Sequence, residues 1–150
     1  MTDEIRLELE IDASPARVWT ALTDGIGEWW PAEFYSGGED GHRTTSLDPS
    51  PGGLMKEIWE GGGGLVWGTV VAVEPEKKLQ IQGTTFPDWG GPNVWFGTWS
   101  LEAIDGGTRL GFTESAIGKS AASQKLAGWE FLMGALRHHV HGTPCPAFGE

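Results

Sequence analysis

The sequence predicts an α+β fold in which a curved antiparallel sheet of about six or seven strands wraps around one long C-terminal helix. The helix is predicted for residues 119–141, where apolar residues recur at spacings of three and four, the period of one helix face. That stripe consists of Leu126, Trp129, Met133, Leu136 and Val140, widened by Phe131, Leu132 and Ala135. The middle of the chain instead shows short apolar runs between glycine clusters, which is typical of strands joined by hairpins. Because no other long helical pattern occurs, we expect the strands to pack against this helix.

The N-terminal part predicts one strand followed by two short helical segments. Residues 4–11 alternate strictly between apolar and charged side chains, as in a strand with one face in water. Ser14 and Pro15 predict a helix start, since serine caps a helix N-terminus and proline fits the first helical position. This helix is expected to end at Asp24–Gly25, and a second short helical turn is predicted for residues 26–30.

The remaining strands are predicted from the apolar runs between turn residues. They cover residues 44–47 as a short edge strand, 54–60, 65–73, 79–82, 94–103 and 108–114. Residues 84–93 are predicted as a loop, and Asp105–Gly107 as the turn of a hairpin between the last two strands. No linker or internal repeat interrupts the pattern, so residues 1–150 are predicted to form a single domain.

Charge and composition argue against several classes of function. The formal net charge of -11 disfavours binding to nucleic acid or to an anionic membrane surface, because phosphate recognition needs a surplus of Lys and Arg. No apolar run is long enough to span a bilayer, and the acidic N-terminus lacks the features of a signal peptide. The single cysteine, Cys145, cannot form an internal disulfide, so a reducing, cytoplasmic setting is expected.

Several local motifs occur in the order found in one known superfamily. They are Ile11–Trp19, Trp29–Trp30, Asp48–Gly53, Gly68–Val70 with Val73–Pro75 and Leu79, Gly107–Leu110 with Thr113–Ser115, and Gly128–Trp129. On these stretches the chain resembles the START-like (SRPBCC, helix-grip) superfamily, and especially the AHSA1-like branch named after the C-terminal domain of the activator of Hsp90 ATPase. The resemblance implies a cavity between sheet and helix that takes small hydrophobic molecules. It implies no single reaction, because some relatives are polyketide cyclases, aromatases or hydrolases and many have no known activity.

Strand parity, together with the family's apolar positions, predicts which side chains face that cavity. The expected ligand-binding residues are Trp29, Met55, Glu57, Trp59, Trp67, Trp95, Trp99, Phe112, Trp129 and Met133. Gly97 is expected to leave space between two indoles, and Gly83 stands where relatives often carry an aromatic residue, which either enlarges the cavity or moves its wall. A tryptophan-lined slot suits a flat or aromatic ligand. The alternative is that these side chains fill a solid core.

Glu57 is the one candidate for a catalytic role. A carboxylate facing inward among indoles could act as a general acid or base, or as a hydrogen-bond anchor. Two alternatives place it elsewhere: a bulge could turn it outward, or Arg43 or Lys56 could pair with it at the rim of the cavity.

Three other motifs are interpreted as structural. Thr113–Ser120 nearly matches a phosphate-binding loop but lacks its first glycine, so a turn followed by a helix start is favoured. His138 and His141 could begin a metal site, yet histidines at a helix C-terminus also oppose the helix dipole, and that interpretation is preferred. Cys145 has no obvious base beside it. No metal and no cofactor are therefore predicted.

Three functions compete. The first is the binding of a small hydrophobic molecule, flat or aromatic. Besides this molecule, the one other partner considered is a second copy of the chain in a homodimer. The second is a cyclase, aromatase or hydrolase that uses the same cavity, with Thr69, Gln80 and His42 as helpers of Glu57. The third is a cofactor of an Hsp90-type chaperone, an activity that in the eukaryotic activator also draws on a separate N-terminal domain.

Overall fold

The computed structural model describes residues 2–119 and 122–149, which form one seven-stranded antiparallel sheet and two α-helices. The strands are β1 (Thr2–Ile11), β2 (Arg43–Leu47), β3 (Leu54–Trp59), β4 (Gly64–Glu74), β5 (Lys78–Thr85), β6 (Asn93–Ile104) and β7 (Gly107–Gly118), and the helices are α1 (Pro15–Leu22) and α2 (Ala122–His141). Short 3-10 turns cover Ile26–Glu28, Ala32–Phe34 and Pro87–Trp89. The strand order across the sheet is β1-β7-β6-β5-β4-β3-β2. No helix in the described part of the chain is both long enough and apolar enough to cross a membrane.

The predicted architecture is confirmed, and the strand ends that differ most from their predicted positions are those of β5 and β7. β5 continues to Thr85, because its full length pairs with β6 down to the Thr85–Asn93 pair. β7 continues to Gly118, where it pairs with Asn93 of β6. The stretch from Thr113 to Gly118 is therefore strand and not the predicted turn, and Lys119 follows the strand instead of opening the helix. The predicted helix start at residues 120 and 121 lies outside the described residues.

An aromatic core joins the sheet to α2. Trp99 of β6 and Phe112 of β7 are almost fully buried, and their ring centroids lie 4.6 Å apart. Trp129 of α2 packs on both, at 4.4 Å from the ring of Phe112 and 5.6 Å from that of Trp99. Further along α2, Met133 and Leu136 are buried in the same core. Aromatic side chains of this size account for much of the apolar area that such a small core can remove from water.

Hydrogen bonds anchor the start of α1, the turn that precedes it and the C-terminal end of α2. Ser14 caps α1 by accepting a bond from the backbone N–H of Arg17 at 3.2 Å, as predicted. The hydroxyl of Thr108, at the start of β7, donates to the carbonyl of Ala13 at 2.7 Å. His141 accepts a bond from the backbone N–H of Asp12 at 2.9 Å. The turn between β1 and α1 is thus held against both the sheet and the end of α2.

Replacement of Thr108 by valine tests this anchor. The side chain is fully buried, so Thr108→Val keeps its shape but leaves the carbonyl of Ala13 without its donor. We expect the free energy of unfolding to fall by about 1–2 kcal/mol, the usual effect of an unsatisfied buried acceptor. Urea unfolding measures the change, and Thr84→Val at an exposed position of β5 is the control. An equal, small effect in both variants would contradict the assignment.

Candidate functional site

A pocket of about 340 Å³ lies between the inner face of the sheet and the N-terminal half of α2. Its apolar wall consists of Trp30, Phe34, Met55, Trp67, Trp89, Trp95, Trp129 and Leu132, with Gly90 and Gly128 between them. Its polar wall consists of Thr85, Asn93, Glu114 and Lys125. Both the volume and the mostly apolar lining are typical of sites for small organic molecules.

Four of the ten predicted ligand-binding residues line this pocket. They are Met55, Trp67, Trp95 and Trp129. The ring centroids of Trp95 and Trp129 lie 6.5 Å apart and the rings are tilted by 54°, so the two indoles meet at an angle across the gap between sheet and helix.

Three other predicted residues, Trp99, Phe112 and Met133, belong to the buried core below the pocket. Gly97 separates the two indoles of β6 as expected, because a Cβ there would lie within 3.1–3.3 Å of the rings of Trp95, Trp99 and Phe112. The interface between sheet and helix is therefore closely packed at Trp99, Phe112 and Met133, and the pocket lies next to this packed layer.

Trp29 lies outside the pocket, and its neighbour Trp30 takes the position on the wall. Trp29 is buried against α1, where its indole N–H donates to the carbonyl of Ala21 at 2.7 Å. Trp30 lines the pocket, with its ring 5.8 Å from that of Trp29. Two adjacent tryptophans after a 3-10 turn point in different directions, and nothing in the sequence distinguishes which of the two faces the ligand side.

Glu57 is buried and accepts three N–H hydrogen bonds. Its Oε1 accepts from the indole of Trp59 at 2.7 Å and from the backbone of Ser36 at 2.7 Å, while Oε2 accepts from the indole of Trp67 at 3.1 Å. An ionised carboxylate is only an acceptor, so these donors match its lone pairs. Glu57 does not itself line the pocket. Its contacts support the hydrogen-bond-anchor interpretation, in which it holds Trp67 in the pocket wall.

The two alternative placements of Glu57 are wrong. The side chain points inward, with 1% of its surface exposed, so no bulge turns it out. Arg43 donates instead to the carbonyls of Gly37 and Ala32, at 3.1 and 3.2 Å, and stacks on the ring of Tyr35. Among the residues that the structure describes, no ion pair joins Glu57 to Arg43 or Lys56.

Trp59 lies beside the pocket rather than in its wall. Its indole covers the loop at Gly37–Gly38, where a side chain on either glycine would collide with the ring. Gly38 also has a φ of 67°, in the left-handed region that favours glycine. These two glycines let Trp59 reach Glu57.

A β-bulge brings Trp67 to the site. In the pairing of β3 with β4, Met55 is opposite Gly68 and Lys56 is opposite Val66, so Trp67 is the extra residue. A bulge re-aims the side chain of the extra residue and bends the strand. Trp67 therefore reaches both the Glu57 carboxylate and the pocket, in a direction that simple alternation along β4 does not specify.

Glu114 and Lys125 are the charged residues of the pocket, and the sequence analysis missed both as site residues. Glu114 points inward from β7 with 5% of its surface exposed, and its Oε2 lies 3.3 Å from Nζ of Lys125 on α2. This distance is that of an ion pair, but the angle is too poor for a hydrogen bond, so the buried ammonium makes no hydrogen bond within the described residues. Burial raises the pKa of Glu114, and the positive charge of Lys125 beside the carboxylate partly opposes this effect.

Asn93 completes the polar wall. Its side-chain N–H donates to the carbonyl of Lys119 at 2.8 Å, which fixes the orientation of the amide at the end of β7. Its Oδ1 is buried and accepts no hydrogen bond in the part of the chain that is described. The polar wall therefore combines one ion pair, one amide and Thr85.

The proposed helpers of Glu57 do not reach the pocket. Thr69 is exposed on the outer side of β4, and Gln80 bonds to the hydroxyl of Thr98 at 3.3 Å. His42 is exposed and interacts through its backbone with Glu60. A Cβ on Gly83 would collide with the backbone carbonyl of Trp67 and with the indole of Trp95, so the absence of a side chain lets this indole lie against β5.

The three C-terminal histidines make separate contacts. His138 shares a 2.7 Å hydrogen bond with Thr143, His139 lies 3.9 Å from a carboxylate oxygen of Glu28, and His141 binds the backbone of Asp12. No group of three or more potential metal ligands occurs among the residues covered by the structure.

A wider groove of about 710 Å³ lies on the solvent side of β4 and β5. Its walls include the exposed side chains of Val66, Val71 and Phe86, and it shares Trp67 and Trp89 with the inner pocket. The two indoles thus stand between the groove and the pocket. The inner pocket is the better candidate site because it lies between sheet and helix and contains the buried charged pair.

A curled antiparallel sheet that holds a C-terminal helix, with a pocket between the two, defines the helix-grip class of the START-like superfamily. Within this class, the family model described as Activator of Hsp90 ATPase homolog 1-like protein matches residues 12–141, so the chain belongs to that family. A comparison with curated proteins gives no match.

Solved structures share the fold at low sequence identity. The Aha1 dimer from Colwellia psychrerythraea is 21% identical with a TM-score of 0.66, over 92% of this chain and 96% of that chain. CalU16 from Micromonospora echinospora is 22% identical with a TM-score of 0.66, over 97% of this chain and 78% of that chain. DynU16, a protein in the dynemicin biosynthetic locus, is 23% identical with a TM-score of 0.70, over 97% of this chain and 50% of that chain. At these identities the likeness shows the fold alone.

Exchange of Glu57 for glutamine tests its role as an anchor. The amide of Glu57→Gln turns one acceptor into a donor that must face an N–H group of Ser36, Trp59 or Trp67. We expect a loss of about 1–3 kcal/mol in the free energy of unfolding, with a change in tryptophan fluorescence as the indoles loosen. Glu130→Gln, at an exposed position of α2, is the matched control. Unchanged stability and fluorescence in Glu57→Gln would show that Glu57 does not anchor these indoles.

The raised pKa of Glu114 predicts a pH dependence of stability. The folded state retains the proton of Glu114 more strongly than the unfolded state, where the carboxyl titrates near its ordinary value of 4.5. Its contribution to stability is therefore fully present below that pH and is lost as the pH rises through the folded-state pKa. Glu114→Gln cannot titrate, so wild type should lose stability relative to this variant between pH 4.5 and neutrality.

Urea unfolding across this pH range measures the difference. Thr113→Val, at the adjacent position of β7, carries no titratable change and should keep a constant difference from wild type. If the difference between wild type and Glu114→Gln instead grows in favour of wild type as the pH rises, the sign of the pKa shift is wrong.

Proposed function

We propose that this protein binds a flat aromatic or conjugated small molecule in the pocket between the sheet and α2. The observation that carries the proposal is the wall made by Trp67, Trp95 and Trp129 around about 340 Å³ of space. Indole rings at different tilts offer both faces and edges to a planar guest, which favours flat molecules over branched ones. Glu57 supports this role, because it fixes the indole of Trp67 by a hydrogen bond.

The comparisons are consistent with a role in binding small molecules. DynU16 is described as a protein in the dynemicin biosynthetic locus, and it shares this fold. A reducing compartment fits the single, exposed Cys145.

An enzyme that uses the same pocket is the second candidate. Catalysis requires at least two polar groups that converge on the guest, and Glu114 and Lys125 supply such a pair inside the pocket. A carboxyl group whose pKa is raised by burial suits proton transfer at a pH closer to neutrality. Turnover of a bound guest, abolished in both Glu114→Gln and Lys125→Met, would establish this function in place of simple binding.

A chaperone cofactor and a homodimer remain proposals that rest on the family alone. The family carries the name of the activator of Hsp90 ATPase, and the structure from Colwellia psychrerythraea is described as an Aha1 dimer. Pull-down with an Hsp90-type chaperone tests the first, and light scattering of the purified chain tests the second.

A matched pair of glycines on α2 tests the pocket. Gly128 lines the pocket, and a Cβ there would lie 3.6 Å from the ring of Phe34, whereas a Cβ on Gly134 would meet nothing within 4 Å. Gly128→Leu should fill the pocket and weaken binding of prodan, a neutral flat naphthalene dye, by about tenfold or more, which corresponds to about 1.4 kcal/mol. Gly134→Leu should leave the affinity unchanged, although both changes favour the helix equally.

Fluorescence titration with prodan gives the affinities, and native mass spectrometry of gently purified protein shows whether a guest is retained. Equal affinity of prodan for wild type and both variants, or no binding to any of them, would overturn the proposed function.

A further inference from the structure

We propose that Lys125 selects the guest, and that the preferred guests are flat aromatic molecules with an anionic oxygen, such as an aryl carboxylate or a phenolate. This inference rests on the proposed binding function and adds the chemical class of the ligand. The proposed guest differs from a purely hydrophobic one because one end of the molecule must carry negative charge.

The first argument is the position of the Lys125 ammonium. A lysine on the surface of a helix usually extends its charged end into water while its methylene stem packs on apolar neighbours. Lys125 does the opposite: its side chain is 23% exposed, yet Nζ is buried and turned towards β7. Burial of an ammonium group is unfavourable unless acceptors surround it.

The second argument is that this ammonium has unused donors. Lys125 offers three N–H groups, and within the described residues its only charged neighbour is Glu114, at 3.3 Å and at a poor angle. Carboxylate and phenolate oxygens accept short, strong bonds from ammonium groups. The stem of four methylene groups lets Nζ follow a ligand oxygen, whereas Glu114 is held on β7 between β1 and β6.

The third argument concerns why an anionic guest is preferred over a cationic one. A cationic guest would have to pair with Glu114 and compete with Lys125 for it, which would leave the ammonium buried beside a second cation. An anionic guest instead gives Lys125 a better acceptor. Burial already favours the protonated form of Glu114, so this carboxyl can accept a proton when the guest takes its place beside Lys125.

The aromatic body and the charge are within reach of one ligand. Trp129 and Gly128 lie one helical turn beyond Lys125 on the same face of α2, and Trp95 faces them from β6. A ring system between Trp95 and Trp129 therefore places a substituent at its edge near the Glu114–Lys125 pair.

A matched set of naphthalene probes tests the inference: the anion β-naphthoate, its neutral isostere β-naphthamide and the cation β-naphthylmethylamine. We expect wild type to bind the naphthoate about tenfold or more tightly than the amide, as a charge-assisted hydrogen bond implies. Lys125→Met should abolish this preference, so that the naphthoate binds no more tightly than the amide. Glu114→Gln should strengthen naphthoate binding, because it removes the competing carboxylate. Lys56→Met, on β3 and outside the pocket lining, is the control for loss of a positive charge.

Calorimetric titration gives all affinities, and circular dichroism confirms that each variant is folded. Should Lys125→Met prove unfolded, Lys125→Gln with Glu114→Gln in one chain keeps the pocket neutral and should bind naphthoate and amide equally. Equal binding of the three probes by wild type would overturn the selection by Lys125 and leave the proposed function intact. Preference for the amine would also overturn it, and failure of all probes to bind would overturn the proposed function itself.

Discussion

The packing of Trp129 against Phe112 and Trp99 determines where this domain is solid and where it is open. The contact fixes the distance of α2 from the sheet at one level, with ring centroids 4.4 and 5.6 Å apart. Towards the C-terminus of α2, Met133 and Leu136 fill the space completely. Towards its N-terminus the helix presents Gly128, which has no side chain, and the space between helix and sheet remains as the pocket. One helix thus serves both as the core of the fold and as one wall of the candidate site.

The two carboxylates that are buried in the described part of the chain have different partners and therefore different roles. Glu57 accepts bonds from two indoles and one backbone amide, all neutral donors that belong to the frame of the pocket. Removal of any one of them would leave a buried group unsatisfied, so the arrangement resists change. Glu114 instead faces a flexible ammonium at a distance without a good hydrogen bond. Such a pair can exchange partners, which makes it the better candidate for contact with a guest.

Periodicity was sufficient to predict the fold, because helix and strand impose different spacings on apolar residues. The inward direction of Met55 and Glu57 also follows from alternation along β3. The need for a glycine at position 97 follows from the two indoles that flank it. Alternation fails where a strand is irregular. The bulge at Trp67 turns that residue towards Glu57, and the strand carries the opposite parity on the two sides of it, so Thr69 faces solvent.

The charged pair was missed for a related reason. From the sequence, β7 was predicted to end at Glu114, so this carboxylate was expected at the end of a strand beside a turn. In the structure β7 continues for four more residues and pairs on both sides, so Glu114 is an interior strand residue with its side chain under α2. Lys125 belongs to the polar residues between the apolar positions of α2, and only the placement of the helix on the sheet brings it 3.3 Å from Glu114. Contacts between residues on separate elements depend on that placement and leave no periodic signal in either segment.

Family membership does not specify the guest for the same reason. The family pattern accounts for the sheet, the helix and the gap between them. Recognition depends on single side chains such as Lys125, which the common pattern does not constrain.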